Sequence, residues 1–229
     1  MSDFESDGFA IADIVLADHQ CAHLAASLPV VSGTARGGVR NLISHPTVRA
    51  LLAHERLGTY LWSVVGRQLV AVKATLFDKT ADANWRVQWH QDRTIAVKER
   101  LDVAGYGPWS TKSGALHVEA PQEVLAQMLA IRVHLDACGI DNGPLRVIAG
   151  SHLRGKLSDD DLQQFVSDAE TQELQVPRGG LLLMRPLLVH ASSAARAPEH
   201  RRVLHIEFAP VEAISPLKWQ ESVVLHRAA

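Results

Sequence analysis

The sequence predicts a mainly β protein, a sandwich or barrel of antiparallel strands with helices packed outside it. Three observations support this fold class. Short runs of apolar and β-branched residues follow one another from about residue 69, and Gly, Pro, Asp and Asn residues separate them. No helices alternate with these runs, as a parallel sheet would require. Helical periodicity is instead concentrated in the first 68 residues.

The N-terminal flank is expected to be mostly helical. Apolar residues recur at helical spacing over residues 12–28. A second helical pattern over 44–66 begins with Ser44 as a candidate N-cap and Pro46 in the first turn. A Gly-rich loop, residues 31–41, joins the two segments.

The core, residues 69–211, should contain the sheet. Its β-like runs are QLVAVKATLF, VQWHQ, AIRVHLDA, LRVIAG, LLLMRPLLVH and RRVLHIEFA. One helix is predicted over 158–169, where Ser158 and Asp161 form a start that resembles a capping box. Because no repeat, low-complexity tract or Pro/Ser-rich linker divides the chain, we expect a single domain over residues 1–229.

Composition excludes several functional classes. The 229 residues carry a net charge of −2 without a basic block, so the electrostatic footprint of a nucleic-acid or membrane-surface binder is missing. The chain has no apolar run of about 18 residues and no signal-peptide pattern at its acidic start. Cys21 and Cys138 suit buried thiols in a reducing compartment. We therefore expect a cytoplasmic protein that acts on a small molecule, with no nucleic-acid or membrane partner.

Histidine is unusually frequent, at 12 of 229 residues, and it is the commonest metal ligand. The motifs GxGxxG, GxxxxGK[ST], HExxH and GxSxG are absent, which leaves histidine and carboxylate as the candidate chemistry. On a strand, residues i and i+2 point to the same face, so an H-x-D pair places two metal ligands side by side. A third ligand from a distant strand would complete the facial triad that binds iron(II) and leaves coordination positions open.

Two H-x-D pairs occur, at His90–Asp92 and at His134–Asp136. Context favours the first, because two tryptophans precede it and a loop follows it. Asp136 leads into a turn, where side-chain hydrogen bonding is an ample role. The candidate third ligand is His190, which closes the apolar run LLLMRPLLVH, although a core histidine satisfied by a carbonyl is the alternative.

Arg201 stands eleven residues beyond His190 and opens the strand RRVLHIEFA. An arginine at the mouth of a barrel strand can hold a carboxylate through two parallel hydrogen bonds, and Ser192 could share that carboxylate. Arg202 is the competing candidate, because strand alternation places it on the opposite face from Arg201.

These residues lie in four segments that resemble the phytanoyl-CoA dioxygenase family of iron(II)- and 2-oxoglutarate-dependent oxygenases. The segments are WHQDRTIAV, RVHLDACGIDNGPLRVIAGSHLRG, LLLMRPLLVHASS and HRRVLHIEFA, and their order and spacing resemble the family from about Leu69 to Pro210. The N-terminal GFAI and GVRNLISHP are also similar to family members. The resemblance implies that the core is a double-stranded β-helix, the jelly-roll or cupin-like fold.

The resemblance further implies that iron(II) is bound by His90, Asp92 and His190. It assigns the remote carboxylate of 2-oxoglutarate to Arg201. Supporting cosubstrate roles are implied for Ser192, Trp109 and Lys79. With O2 as the third reactant, the implied reaction hydroxylates an aliphatic C–H bond of a small molecule and releases succinate and CO2. Desaturation and dealkylation stay open, and the presence of Asp92 disfavours halogenation.

Two other kinds of function stay open. A metal-binding barrel could be a zinc or manganese isomerase or hydrolase, or an oxygenase independent of 2-oxoglutarate. None of these needs a buried arginine eleven residues past the distal histidine. A non-catalytic binding barrel would keep the cavity without turnover.

Segments 30–42 and 93–114 are expected to cover the site, because Gly-rich and aromatic loops at a barrel mouth collect substrate contacts. Four cations of the second segment would suit an anionic substrate: Arg93, Lys98, Arg100 and Lys112. Nearby acidic residues offset much of that charge, so a solvated loop is the alternative.

Overall fold

The computed structural model describes residues 3–13, 15–31, 38–197 and 199–226. Its helices are α1 (Phe4–Asp7), α2 (Asp18–Ser27), α3 (Pro46–Leu52), α4 (Glu55–Val65), α5 (Gln122–Leu125) and α6 (Asp159–Asp168). Its strands are β1 (Phe9–Ala12), β2 (Val70–Lys79), β3 (Val87–His90), β4 (Thr94–Val97), β5 (Trp109–Lys112), β6 (Ala115–Glu119), β7 (Leu129–His134), β8 (Leu145–Val147), β9 (Gln172–Leu174), β10 (Leu181–Met184), β11 (His190–Ser192), β12 (Arg201–Ala209) and β13 (Val223–Val224). Two 3₁₀ turns cover Ile140–Asn142 and Ser151–Arg154.

The described strands form three sheets, and neighbouring strands in each are antiparallel. The main sheet has the order β1-β10-β7-β12-β2-β13, and a four-stranded sheet has the order β3-β11-β8-β9. A smaller sheet has the order β4-β6-β5. The predicted class, mainly β with flanking helices, is therefore confirmed.

Strand β12 illustrates how alternation separates the two faces of the main sheet. Leu204 and Ile206 are fully buried in a core that also contains Leu24, Leu52 and Leu61 from helices α2, α3 and α4. Residues at the odd-numbered positions of β12 point to the other face, towards the four-stranded sheet. The helices thus cover one face of the main sheet and leave its other face for the site.

The four-stranded sheet faces the main sheet across a second apolar core. Leu182 and Met184 of β10 pack there with Leu145 and Val147 of β8, and Phe9 of β1 joins them. Burying a large apolar side chain contributes about 1.5 to 3 kcal/mol, so this core holds the two sheets together. One end of the space between the sheets remains open as a cavity.

The helical pattern predicted over 44–66 forms two helices, α3 and α4, and the N-terminal flank differs from the prediction in two further ways. Residues 9–12 form strand β1 at the edge of the main sheet, paired with β10, and α2 begins only at Asp18. The N-cap of α3 is His45, whose Nδ1 accepts a hydrogen bond from the Thr47 amide, so the assignment of Ser44 as the cap was wrong by one residue. Both differences arise at element boundaries, where periodicity carries the least information.

The predicted helix near residue 160 is confirmed as α6. The Ser158 hydroxyl accepts a hydrogen bond from the Asp161 amide at 3.1 Å, which satisfies one of the free amides of the first turn. Three aspartates in that turn complement the positive end of the helix dipole.

Segment 93–114, expected to be loop, contains two strands. β4 and β5 both pair with β6, and a tight turn at Ser113 and Gly114, with φ values of 49° and 79°, joins β5 to β6. Of segment 30–42, residues 32–37 lie outside the described residues.

The run LLLMRPLLVH is two strands rather than one. β10 ends at Met184 in the main sheet, and the chain then crosses to the facing sheet, where β11 begins at His190. Pro186 has no amide to donate, so the main-sheet ladder stops beside it. His190 therefore opens a strand instead of closing one. Within the described ranges, no helix combines the length and the apolar character needed to cross a membrane.

Candidate metal centre and active-site cavity

The first H-x-D pair and the distal histidine meet between two strands. His90 ends β3, His190 begins β11, and their Cα positions are paired in antiparallel register. Asp92 follows two residues after His90. One ligand atom from each of the three side chains lies within 4.8 Å of the others, a grouping that could hold one metal ion.

Backbone carbonyls orient both imidazole rings. The Nδ1 atoms of His90 and His190 each lie 2.8 Å from a carbonyl oxygen two residues earlier, that of Gln88 and that of Leu188. A ring that donates its Nδ1 proton to a carbonyl keeps a lone pair on Nε2. Each Nε2 lies 3.7 Å from an Asp92 carboxylate oxygen, so both lone pairs and the carboxylate converge.

The protonation states of His190 and Asp92 suit the binding of a cation. Burial, followed by the nearby charge of His90, lowers the pKa of His190 to about 3, so this imidazole is neutral at physiological pH. Burial acts to raise the pKa of Asp92, but the surrounding imidazoles and Lys73 hold it below its ordinary value. A neutral histidine and an ionised carboxylate are the forms that bind metals.

Gln91, between the two ligands of the H-x-D pair, points away from the cavity and fixes their backbone. Its amide group donates to the carbonyls of Gly155 and Leu187, both at 2.8 Å, and accepts from the Leu157 amide at 2.9 Å. The Asp92 amide donates to the Pro186 carbonyl at 2.8 Å. The ligand segment is therefore tied to two other parts of the chain.

A cavity of about 340 Å³ opens beside the triad. Its lining comes from the inner face of the main sheet, from the strands carrying the histidines, and from β4, β5 and β6. Trp85, which precedes the first H-x-D pair, also lines it. A concave site of this size with converging polar groups is typical of a small-molecule site.

Arg201 and Arg202 point to opposite sides of β12. Arg201 lines the cavity, is 3% exposed, and donates through one guanidinium nitrogen to the Gly143 carbonyl, while its Nε has no hydrogen-bond partner in the described structure. Arg202 faces the other side and holds Asp136 through two bonds of 2.8 Å. Asp136 is thus engaged away from the cavity, and among the described residues the second H-x-D pair belongs to no cluster that could hold a metal ion.

Lys79 and Ser192 lie next to Arg201. Lys79 pairs with Arg201 across β2 and β12, is 0% exposed, and donates to the Ser192 hydroxyl at 3.2 Å and to the Ser193 carbonyl. Ser192 lines the cavity, whereas Lys79 lies behind it. Burial and then the charge of Arg201 lower the pKa of Lys79 to about 7.

Of the other residues weighed from the sequence, Trp109 is not brought to this end, and His134 lies near Arg201 without lining the cavity. Trp109 of β5 packs in a separate apolar core with the Arg100 guanidinium 5.4 Å from its ring centre, and it does not line the cavity. His134 is buried on β7, and neither of its ring nitrogens has a partner among the described residues. Burial and the charge of Arg132 lower the pKa of His134, which keeps the ring neutral.

Several charged residues that line the cavity were not predicted from the sequence. Lys73 of β2 and Glu207 of β12 form an ion pair at 2.7 Å, and His205 lies 3.5 Å from the same carboxylate. Arg132 of β7 also lines the cavity, 5.7 Å from the Phe77 ring centre. Strand alternation from Arg201 would have placed His205 and Glu207 on the same face, but no local signal indicated that this face is the interior.

Taken together, the arrangement provides a tripod of two imidazoles and one carboxylate beside a buried guanidinium with an unused donor. The tripod could hold a divalent ion by one face and leave positions open. The guanidinium could hold a carboxylate in a site largely shielded from water. A metal and a dicarboxylate could therefore be bound in the same cavity.

Comparison with solved structures gives matches of the same fold. The chain is similar to the non-heme alpha ketoglutarate dependent carbocyclase SnoK from nogalamycin biosynthesis, with 14% identity, a TM-score of 0.68, and coverage of 91% of this chain and 82% of that one. It is also similar to AviO1 from Streptomyces viridochromogenes Tue57, with 24% identity, a TM-score of 0.65, and coverage of 91% and 92%. A third similar structure is EctD from S. alaskensis, with 18% identity, a TM-score of 0.67, and coverage of 92% of this chain and 76% of that one. Together these likenesses confirm the double-stranded β-helix core.

A search of curated proteins found no match. The family model for phytanoyl-CoA dioxygenase matches residues 4–203, which is most of the chain and includes the H-x-D pair, the distal histidine and Arg201. The chain therefore belongs to the phytanoyl-CoA dioxygenase family of iron(II)- and 2-oxoglutarate-dependent oxygenases.

Proposed function

We propose that this enzyme hydroxylates an aliphatic C–H bond of a small molecule, using iron(II), 2-oxoglutarate and O2 and releasing succinate and CO2. The observation that carries the proposal is the presence, on one cavity, of the His90, Asp92 and His190 tripod and of Arg201 with an unpaired donor. A facial triad alone suits several metal reactions, and the buried guanidinium adds the requirement for a carboxylate.

The side chains present fit both groups. His90, Asp92 and His190 would hold the iron, because their free Nε2 atoms and carboxylate converge. Arg201 would hold the remote carboxylate of 2-oxoglutarate, since its Nε is buried without a partner and an unsatisfied buried donor costs about 1 to 3 kcal/mol. Ser192 would donate its hydroxyl to the same carboxylate, and Lys79 would orient that hydroxyl and add positive charge.

When bound together, iron(II) and 2-oxoglutarate supply the oxidising chemistry, in which O2 is consumed, succinate and CO2 leave, and the substrate gains a hydroxyl group. The protein's part is positioning. The carbonyls of Gln88 and Leu188 fix the two rings, and Gln91 fixes the backbone between the ligands. The cavity walls around Arg201 and His190, which are 3% and 4% exposed, keep bulk water from the reacting groups.

Under this proposal, the substrate of the enzyme is a small molecule. Two proteins of similar structure act in nogalamycin biosynthesis: SnoN is a non-heme alpha ketoglutarate dependent epimerase, and SnoK is a non-heme alpha ketoglutarate dependent carbocyclase. One SnoN structure is a complex with Fe3+, alpha ketoglutarate and nogalamycin RO. SnoN therefore binds metal, cosubstrate and an organic compound in one protein, which supports the proposal that a metal, 2-oxoglutarate and a small molecule bind here.

The test is an anaerobic titration. Iron(II) and then 2-oxoglutarate are added to metal-free protein, and the weak visible charge-transfer band of the chelate is recorded. We expect the band in the wild type and in Arg202→Ala, whose guanidinium points away from the cavity, and we expect its loss in His90→Ala. In Arg201→Ala the concentration of 2-oxoglutarate needed for the band should rise by about 10- to 100-fold, because a charge-assisted pair contributes about 1.5 to 3 kcal/mol.

Other outcomes point to the alternatives. Metal bound without any band in the wild type would contradict the proposal and favour a zinc or manganese isomerase or hydrolase. A band that is insensitive to Arg201→Ala would remove the assigned role of Arg201. With the band established, succinate release in the presence of candidate substrates identifies which of them couple to turnover.

A further inference from the structure

The cavity has two separate cationic ends. Lys73 and Lys79 lie six residues apart on the same face of β2, opposite Glu207 and Arg201 of β12. At about 3.3 Å per residue, these two rungs are about 20 Å apart along the sheet. The Arg201 rung is the end assigned to 2-oxoglutarate under the proposed function, and the Lys73 rung has no role in that assignment.

At the Lys73 end of the cavity, the cationic side chains outnumber the carboxylates that pair with them. Lys73 is paired with Glu207, but Lys112 of β5 has only the Thr94 hydroxyl, at 3.2 Å, and Arg40 has no hydrogen bond or ion pair to the described residues. All three cations line the cavity. Burial, followed by the charges of Lys73 and Arg40, lowers the pKa of Lys112, which places the three groups within electrostatic reach of one another.

The other three cations that the sequence singled out in segment 93–114 do not line the cavity. Arg93 forms ion pairs with Asp159 at 3.1 Å and with Glu119 at 3.8 Å, and Arg100 stacks on Trp109. Lys98 is exposed and does not line the cavity. Of the four cations that the sequence singled out, only Lys112 points into the cavity.

The charges of the side chains that line the cavity indicate what kind of ligand it would bind. Five cationic side chains line the cavity, and only two carboxylates, Asp92 and Glu207, face them in the described structure. Adding a divalent metal and the dianion of 2-oxoglutarate leaves this excess unchanged, because their charges cancel. A cleft lined by one sign of charge attracts and orients a ligand of the opposite sign.

We propose that Arg40 and Lys112, assisted by Lys73, bind an anionic group of the substrate, a carboxylate or a phosphate. The assignment to the substrate rests on the proposed function, because it takes the Arg201 end as the place of the cosubstrate. Asp92 lies within electrostatic reach of Lys73 and Lys112, so a substrate held by its anionic group lies beside the metal ligands. The cavity of about 340 Å³ also has to contain the cosubstrate, so the part of the substrate inside it is small.

The test measures the affinity of two simple probes, butyrate and inorganic phosphate, by ligand-observed NMR and by tryptophan fluorescence, since Trp85 lines the cavity. Zinc(II)-loaded protein with excess 2-oxoglutarate is used, so that the Arg201 end is filled and no turnover occurs. The variants are Lys112→Gln, Arg40→Gln and, for the other end of the cavity, Arg201→Ala. The control is Lys98→Gln, which makes the same charge change on an exposed side chain.

We expect the wild type and Lys98→Gln to bind at least one probe equally well, and Lys112→Gln and Arg40→Gln to bind it about tenfold or more weakly, as for the loss of a charge-assisted hydrogen bond. The better probe identifies the anion as carboxylate or phosphate. Equal affinity in all variants, no binding to the wild type, or a loss seen only in Arg201→Ala would overturn the proposal.

Failure of the anion site is distinguishable from failure of the proposed function. The anaerobic chelate band reports on the metal and 2-oxoglutarate, and Lys112→Gln should retain it because Lys112 lies at the other end. If the wild type lacks the band, the proposed function fails, while the probe affinities still decide whether Arg40 and Lys112 bind an anion.

Discussion

His90 and His190 face each other across the antiparallel pair β3 and β11, with their Cα positions in register and their ring centres 4.1 Å apart. Two imidazoles so close could bind one cation between them. The third candidate ligand, Asp92, is 3.7 Å from each Nε2 and comes from the loop that follows β3. Sheet register therefore positions two of the three candidate ligands, and the position of the third depends on how the loop is held.

The two H-x-D pairs give a matched test of the metal site. Substitution of a residue that only supports a metal ligand lowers metal affinity by about 10- to 100-fold. Asp92→Asn removes the charge of a ligand itself, so it should weaken metal binding by more than about 100-fold. Asp136→Asn should leave metal affinity unchanged, since Asp136 binds Arg202 on the other side of the sheet. Titration with zinc(II) against a competing chelator measures both. Equal losses in the two variants would contradict the assignment of the ligand pair.

Gln91 should matter to both stability and metal affinity. Replacing it by alanine leaves the buried carbonyls of Gly155 and Leu187 without their donor. We expect Gln91→Ala to lower the free energy of unfolding by about 2 kcal/mol and metal affinity by about tenfold. Gln88→Ala is the control, because that side chain is exposed on the same strand. Urea denaturation measures the stability of both variants, and the zinc titration measures their metal affinity. If Gln91→Ala and Gln88→Ala gave the same values, Gln91 would not position the ligands.

Gly143 links the DNG turn to Arg201. Its φ is +60°, and an added Cβ would lie 2.6 Å from the Ser193 carbonyl oxygen, while its own carbonyl accepts from Arg201. Gly143→Ala should cost about 1 to 2 kcal/mol for the backbone conformation alone and reduce 2-oxoglutarate affinity by about tenfold as the anchor of Arg201 shifts.

Gly139→Ala in the same turn is the control for this substitution. Its φ is −86°, and nothing lies within 4 Å of an added Cβ. We expect its melting temperature and its affinity for 2-oxoglutarate to match those of the wild type. A wild-type affinity in Gly143→Ala as well would show that Arg201 does not depend on this carbonyl.

The affinity for 2-oxoglutarate should fall as pH rises above about 7. The pKa of Lys79 is lowered to about 7 in the free protein, and a bound carboxylate favours the ammonium form and so raises it. Below pH 7 the ammonium is already present, and above it binding must take up a proton. The dissociation constant should therefore rise by up to about tenfold per pH unit until the pKa of the complex is reached.

Lys79→Met separates this effect from other pH-dependent groups. Methionine keeps the length of the buried side chain without its charge, so the variant should bind 2-oxoglutarate more weakly at about pH 6 and show a flatter pH profile. Calorimetry in buffers of different ionisation enthalpy measures the proton uptake directly. A profile as steep as that of the wild type would assign the dependence to another group.

The sheet core was predictable because alternation is a local property of the chain. The strand RRVLHIEFA has Leu204 and Ile206 on one face and Val203 and His205 on the other, and the structure keeps that division. The strands of segment 93–114 were not predictable. β4 and β5 are short and half polar, and they are stabilised mainly by pairing with β6 and by the apolar core beneath it. Such pairing is non-local and leaves little trace in a short window of sequence.

Residue type and order along the chain by themselves determined the class of fold and the candidate ligands His90, Asp92 and His190. They also narrowed the candidate carboxylate partner to two adjacent arginines, Arg201 and Arg202. Only the tertiary structure decided that Arg201 faces the cavity while Arg202 binds Asp136, and that Arg40, Lys73 and Lys112 meet at the opposite end. The physical reason is that periodicity divides the faces of a strand without saying which face is the interior. That decision depends on which sheets pack together, and packing joins residues that are distant in the chain.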